Sequence, residues 1–489
     1  MRSIEVSVFL LLAISLAMCS ENAVICYYGT WATYRQGNGK FDVENIDPRL
    51  CNHLIYAFAG INSQGEVISL DPYLDLPDNW GRDNFRKFNA LKQKNPRLKT
   101  LLAVGGWNEG SAKYSIMAAS TGLRRNFINS ILRMLTTYGF DGLDLDWEYP
   151  NRRDTVHGKA DIDNFTQLLK ELREAFDSHG FLLTAAVAAI EEMAILSYDV
   201  PAISRYLDII NLMSYDMAGS WDPVTGHNSP LHRGEGYEDD SKPINWYTVA
   251  KSLHFWINSG CPPEKLAVGV PFHARTFRLV NSNNNGVRAP ANGAGLSGPY
   301  TVSPGTMGYN EFCFKLQTES WTKRYDSLAK VPYAFKDNNW VSYDDPESIV
   351  IKVDYAKTLG INKVMMWSIE SDDFKGLCGE GANPLLKAIN QALDNEIEHV
   401  DSTTTRPSTI GSATSTLSSS ITSGTSTTES AQQYSCKQEG FIPHSQNCSF
   451  FYMCVPDNRD GFVGVKFQCP ANLFWNQEQL VCDWHCQVR

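Results

Sequence analysis

The chain has 489 residues, too many for one ordinary compact domain unless a large barrel absorbs most of them. A formal net charge of −11 argues against nucleic acid or an anionic membrane surface as partner, and leaves a neutral polymer acceptable. Twelve cysteines fit a protein of an oxidising compartment rather than the cytosol.

The chain opens with Arg2 and a nearly unbroken apolar run from Val6 to Met18, followed by small residues suited to cleavage. Residues 1–20 therefore read as a signal peptide, and secretion to the extracellular space is expected. A membrane anchor is the competing reading, but the run is shorter than the roughly 20 residues a span needs. The triplets Asn164-Phe-Thr166 and Asn447-Cys-Ser449 are sequons that a secretory route could glycosylate.

From residue 21 to 400, short apolar runs rich in β-branched and aromatic residues alternate with segments of helical period. The runs predict strands near Val24–Gly29, His53–Gly60, Lys99–Gly106, Gly139–Glu148, Leu182–Ala189, Leu207–Tyr215, Lys265–Phe272 and Lys363–Ile369. Helical patterns cover Asp83–Lys94, Thr121–Thr137, Asp161–Ser178, Asn245–Ser259 and Ile349–Thr358. Near-continuous apolar strands with helical crossovers indicate a parallel sheet covered on its outside. Eight repeats suggest an α/β fold of the (β/α)8 TIM barrel type, with an open doubly wound sheet as the alternative. Residues 276–348 are too many for a crossover loop, so an inserted α+β subdomain beside the barrel mouth is expected.

In the fourth run, Phe140-Asp-Gly-Leu-Asp-Leu-Asp-Trp-Glu-Tyr-Pro150, alternate side chains share a face. Asp144, Asp146 and Glu148 then point to one side, and Leu143, Leu145 and Trp147 to the other. Asp141 falls out of phase, at the strand's start. Helices pack the barrel wall, so the apolar set faces outward and the three carboxyl groups face inward, with Glu148 nearest the C-terminal mouth, where barrel active sites lie. Three acids so close in a partly dry interior titrate as a coupled set, and one stays protonated near neutral pH. A protonated carboxyl in that place suits acid-catalysed glycoside cleavage, with Glu148 the donor to the leaving oxygen. A Mg²⁺ or Mn²⁺ site is the rival reading of carboxylates in a row, but no other acid or His cluster accompanies them. No metal and no cofactor is expected.

Residues 401–433 collapse to Ser and Thr with scattered Gly and Pro, too few apolar side chains to offset ordering entropy. This linker would span roughly 30 Å and let its flanks move independently. Beyond it, residues 434–489 hold Cys436, Cys448, Cys454, Cys469, Cys482 and Cys486 in a segment too small to fold on an apolar core alone. A small disulfide-rich module is expected, with fifteen connectivities open. Zinc is the alternative for any Cys-rich segment, but paired Cys-x-x-Cys units are lacking.

These motifs carry a family resemblance. Asp141-x-x-Asp144-x-Asp146-x-Glu148-Tyr149-Pro150 resembles the signature of family 18 glycoside hydrolases, the chitinase and chitinase-like barrels, particularly arthropod chitinases. Leu101-Leu-Ala-Val-Gly-Gly-Trp107-Asn108 and Asn211-Leu-Met213-Ser-Tyr215-Asp216 resemble the family's third- and sixth-strand motifs. Gly269-Val-Pro-Phe-His273-Ala-Arg275 and Met366-Trp367-Ser-Ile-Glu370-Ser-Asp372-Asp373-Phe374 resemble the seventh and eighth, and Cys26-Tyr27-Tyr28 the first.

The resemblance implies hydrolysis of β-1,4 bonds between N-acetylglucosamine units by a retaining mechanism in which the substrate's own acetamido group attacks the anomeric carbon. Glu148 would be acid and then base. Asp146 would orient the acetamido group and stabilise the oxazolinium nitrogen, Asp144 would hold the proton shared with Asp146, and Tyr215 would hydrogen-bond the acetamido oxygen. Asp216 and Arg275 would bind polar sugar groups, with Asn108 and Met213 among the substrate-binding set. Trp367 would be the floor on which a sugar ring stacks, with Trp107, Trp31 and Tyr27 as further platforms. Two positions depart from the family pattern: His273 stands where Tyr is usual, putting one sugar contact in question, and Glu370 where Asp is usual, a change read as structural.

By the same resemblance Cys26 pairs with Cys51 and Cys313 with Cys378, leaving Cys261 as a buried, unreactive thiol. The C-terminal segment resembles the peritrophin-A type of chitin-binding module. That implies Cys436 with Cys454, Cys448 with Cys486 and Cys469 with Cys482, although the Cys482 to Cys486 gap is short for the type. The expected partner is chitin and its oligosaccharides, bound by a monomer. A catalytically dead lectin and a glycoprotein-directed endo-β-N-acetylglucosaminidase are the rival functions. Loss of the acid marks such lectins, and Glu148 is present.

Overall fold

The structure is a computed structural model describing residues 22–236 and 247–394, together with the strand segments 434–436, 440–443, 449–457, 461–468, 474–476 and 481–483. The expected signal peptide and linker lie outside the described residues, as do the side chains of the C-terminal cysteines. The chain divides into two compact units, with the division at His399 and Val400.

Eight parallel strands form the first unit's centre: β1 (Ala23–Gly29), β2 (His53–Ile61), β3 (Lys99–Gly105), β4 (Gly142–Asp146), β5 (Leu182–Ala188), β6 (Ile209–Met213), β7 (Leu266–Pro271) and β8 (Lys363–Trp367). Each pairs with its chain neighbour. β8 returns to β1 with Met366 beside Cys26, which closes the sheet into the expected (β/α)8 barrel. A short strand, Val67–Ser69, adds an antiparallel hairpin to β2 that the sequence reading lacked.

The period-2 pattern sorts the wall into two shells. Outward residues such as Val24, Leu102, Leu143, Leu145 and Val268 join one large core with helix residues including Phe127, Phe165 and Trp256. Inward residues form a separate cluster in which Ala23, Ala57, Ala103 and Ala267 lie among larger side chains such as Ile25, Tyr27, Leu101 and Met365. The helices between strands include Asn84–Ala90, Thr121–Tyr138, Ala160–Asp177, Val249–Asn258 and Pro346–Thr358. Their ends follow local chemistry. Ser120 accepts a hydrogen bond from the Leu123 amide to start its helix, and Gly139, in the left-handed region at φ 81°, ends it.

Gly139 also explains why β4 begins later than its apolar run: the run's first residues close a helix. At its other end β4 stops at Asp146, so Trp147 and Glu148 lie on the turn beyond it. β6 likewise starts at Ile209, because Leu207 still caps the helix Val200–Tyr206.

The insertion begins at His273, three residues earlier than expected, because β7 runs through Phe272 straight into a strand, His273–Leu279. That strand pairs with Ala291–Ala294, Thr306–Gly308 and Asn339–Ser342, followed by Val331–Lys336 and Thr322–Asp326. With the helix Tyr309–Thr318 it forms an α+β subdomain around Phe277, Trp340 and Tyr333 on one side and Phe312 and Tyr343 on the other. Disulfides join Cys26 to Cys51 (Cα–Cα 6.1 Å) and Cys313 to Cys378 (5.8 Å). Cys261 is free and buried, and burial pushes its thiol up to about 11. In the second unit, strands Tyr434–Cys436, Gly440–Pro443, Phe450–Asp457 and Gly461–Gln468 form an antiparallel sheet, and Phe474–Asn476 pairs with Val481–Asp483.

Candidate active site

Asp144 sits at the barrel axis because β4 alternates, and it is fully buried. Its Oδ2 accepts from the Tyr27 hydroxyl at 2.7 Å. Its Oδ1 accepts from the Thr184 hydroxyl at 2.5 Å and the Asn211 amide at 3.1 Å. Thr184 is the register partner of Asp144 on β5, which explains the contact. Burial raises the Asp144 pKa and the three donors oppose that rise.

Asp146 lies one pleat nearer the mouth. Its Oδ1 is buried and has no hydrogen-bond partner. Burial, then the Glu148 and Asp144 charges, raise its pKa well above the carboxylate range. None of the hydrogen bonds described for Asp144 goes to Asp146.

Glu148 is pushed up to about 7, by burial first and also by the Asp216 charge, against the lowering effect of a hydrogen bond with Tyr149 and of nearby Arg153. Two carboxyl groups of high proton affinity thus sit side by side above a third that is held by neutral donors. Asp141 belongs to the opposite end, where Lys92 pairs with it at 2.9 Å and the Thr100 amide donates to it at 2.8 Å.

Just beyond β6, Asp216 takes a left-handed backbone (φ 57°), a conformation Asp tolerates. Its carboxylate meets His273 Nε2 at 2.7 Å, and Arg275 Nε and Nη2 each at 2.7 Å. His273 and Arg275 share a face of the insertion's first strand, which is why both reach it. They hold Asp216 well below the usual carboxylate range against the opposing effect of partial desolvation. The Tyr215 hydroxyl donates to the Met365 sulfur at 3.6 Å, and its ring meets His273 edge-on. Met213 is half-buried against the inner cluster, and Asn108 is exposed on the turn after β3.

Trp367, at the end of β8, is ringed by Tyr27, Trp31 and Phe58, with ring centroids 5.6, 6.0 and 5.7 Å away. Trp31 and Trp107 are 43% and 57% exposed, so both offer ring surface. Tyr27 does not: only 1% of it is accessible, and it lies inside the barrel donating to Asp144. Its expected role as a platform is corrected to that of a hydrogen-bond donor. Glu370 is fully buried, accepting from the Gly29 amide at 3.0 Å and from Ser368, which ties the turn after β8 to the end of β1.

Four residues of this site carry no role in the sequence-based expectations, although Asn211 heads the sixth-strand motif. Thr184 and Asn211 are polar residues inside apolar strand runs, a signal that was available. Phe58 stacks beside Trp367, but nothing in an apolar run distinguishes it from a core ring. Trp221, 59% exposed with the Arg275 guanidinium 5.1 Å from its ring centre, comes from a loop. Among the described residues, Cys313, Asp373 and Cys378 group like metal ligands, but both sulfurs are spent in a disulfide.

A barrel with carboxyl groups of raised proton affinity at its C-terminal mouth and aromatic rings around them defines a glycosidase-type site. Residues 23–372 match the model of glycosyl hydrolases family 18, and residues 436–489 that of the chitin binding Peritrophin-A domain. The chain belongs to family 18 of the glycosyl hydrolases and ends in a peritrophin-A-type module. It is 43% identical to probable chitinase 2 of Drosophila melanogaster over 73% of this chain and 74% of that protein. The Ostrinia furnacalis group IV chitinase, also solved with allosamidin, is 58% identical, with a TM-score of 0.75 over 77% of this chain and all of that one. Human YKL-39, described as a pseudo-chitinase with retained chitooligosaccharide binding, is 39% identical, with a TM-score of 0.70 over 77% of this chain and all of that one.

Proposed function

We propose that this protein is a secreted chitinase that cleaves β-1,4 linkages between N-acetylglucosamine units by substrate-assisted retention. The observation that carries this reading is the pair Asp146 and Glu148: an unpartnered buried carboxyl oxygen beside a carboxyl held up to about 7.

Glu148, protonated at neutral pH, donates to the glycosidic oxygen. The acetamido oxygen, hydrogen-bonded by Tyr215, attacks the anomeric carbon. Asp146 turns its free oxygen to the acetamido N–H and balances the positive oxazolinium, so no second carboxylate nucleophile is needed. Asp144 accepts three hydrogen bonds from neutral donors, which favours its charged form and leaves the shared proton on Asp146 at rest. As positive charge grows on the substrate, that proton passes to Asp144. Glu148, now a carboxylate, takes a proton from the water that opens the oxazolinium ring.

Trp367 forms the floor, with Trp31, Trp107 and Trp221 along the cleft, since pyranose C–H faces pack on aromatic rings. Asp216, Arg275 and His273 act as one polar unit beside Glu148. The C-terminal module holds the enzyme on chitin and raises the local substrate concentration. The reading is tested by following product release from chitin oligomers with the wild type and Glu148→Gln.

A further inference from the structure

We propose that Arg153 is a positioning residue that clamps one face of the Trp107 indole and leaves the other set for a sugar ring, a role that rests on the chitinase reading above. The guanidinium carbon lies 3.8 Å from the Trp107 ring centre, a cation–π contact, and Nη1 donates to the Trp107 carbonyl at 2.6 Å. One side chain therefore fixes both the ring and the backbone that carries it.

Trp107 needs such a clamp. It is 57% exposed on a short turn, Trp107–Glu109, that follows Gly105 and Gly106, both at positive φ. The turn is anchored from below where the Gly106 amide donates to the Asp146 carbonyl at 2.8 Å. Nothing in that contact sets the indole's plane.

Arg153 is itself presented by a fixed loop. Buried Asp161 accepts from Ser115 at 2.8 Å, from Thr155, and from the Asn151 amide at 3.4 Å, holding the chain on both sides of Arg153. The same loop leaves Glu148 five residues earlier, and the Arg153 charge lowers the Glu148 proton affinity. One side chain thus touches the platform and acts electrostatically on the acid, and two substitutions separate these roles.

The test measures kcat and KM across pH on long and short soluble N-acetylglucosamine oligomers for wild type, Arg153→Lys, Arg153→Met, Trp107→Ala and Trp107→Ala/Arg153→Met. Both Arg153 variants raise KM for long oligomers roughly three- to ten-fold, the order one cation–π contact supplies, with kcat unchanged below the acid's pKa. Arg153→Met alone moves the alkaline limb of the pH profile upward, because Glu148 loses a neighbouring cation; Lys keeps the limb in place. The double variant has the KM of Trp107→Ala. Wild-type KM in both Arg153 variants, or KM effects that multiply in the double variant, overturns the clamp. If the wild type releases no product, the hydrolase reading fails. Calorimetric Kd values for the same oligomers then test the clamp with the same ratios.

Discussion

The Tyr27 hydroxyl on β1 donates to Asp144 on β4 across the barrel interior at 2.7 Å, and Asn211 on β6 contacts both, at 3.1 Å each. A phenol that sequence alone places among the sugar platforms is thereby part of the hydrogen-bond network around Asp144. Three strands meet at one carboxylate, so the charge of Asp144 is a property of the closed barrel rather than of β4.

Tyr27→Phe removes one of three donors to Asp144 and leaves the cleft unchanged. A hydrogen bond to a charged group contributes about 1.5–3 kcal/mol, so kcat is expected to fall roughly ten- to hundred-fold with KM nearly constant. Steady-state kinetics on soluble oligomers checks this. A KM increase with kcat preserved would instead make Tyr27 a sugar contact.

The alkaline limb of catalysis follows from Glu148. Its carboxyl must be protonated to donate, and it is held up to about 7, so kcat/KM should fall as pH rises through about 7. The Asp216 charge contributes to that elevation. Asp216→Asn therefore lowers the Glu148 pKa and moves the limb to lower pH. A limb that stays in place, or moves up, contradicts the coupling.

The same elevation costs stability. A carboxyl whose folded pKa lies at about 7 against an ordinary 4.5 binds its proton more tightly in the folded state. Stability due to Glu148 is therefore lost as pH rises from 4.5 to about 7 and levels off above. Glu148→Gln removes that loss, by at most about 3 kcal/mol. Thermal unfolding of both proteins at acidic and mildly alkaline pH should show the Tm gap in favour of Gln widening with pH. A constant gap means that burial does not govern this carboxyl.

Much of this was legible in the sequence, for a physical reason. Strand alternation has period 2, so Asp144 and Asp146 had to face opposite to Leu143 and Leu145 once helices covered the wall. The eight strand positions followed from apolar runs, and their ends did not. Gly139 and Leu207 belong to helix caps, which composition within an apolar run does not reveal. Site residues contributed by other strands were harder, since the contact of Thr184 with Asp144 depends on register. Tyr27 and Trp31, four apart in sequence, look alike as aromatics near a strand end. Only closure of the barrel buries one and exposes the other.

Gly105 marks where close approach replaces a side chain. Its φ is +129°, and a Cβ there would collide with the Asp146 carbonyl oxygen. Gly105→Ala is expected to cost about 1–3 kcal/mol of stability and to reduce kcat, because the strain displaces Asp146. Denaturant unfolding with parallel kinetics measures both. Unchanged values in both would mean that β3 does not support the acid.

Removing residues after Val400 should lower activity on insoluble chitin by roughly ten-fold or more and spare soluble oligomers, since tethering acts only where substrate is a surface. Equal loss on both substrates would place the second unit in catalysis or folding instead.

The most direct measurement is product release from soluble N-acetylglucosamine oligomers by wild type and Glu148→Gln at pH 6, with circular dichroism confirming the fold of both. The account predicts a loss of about 10²–10⁴-fold in kcat for Gln, with oligomer binding retained. Equal rates in the two proteins would contradict it.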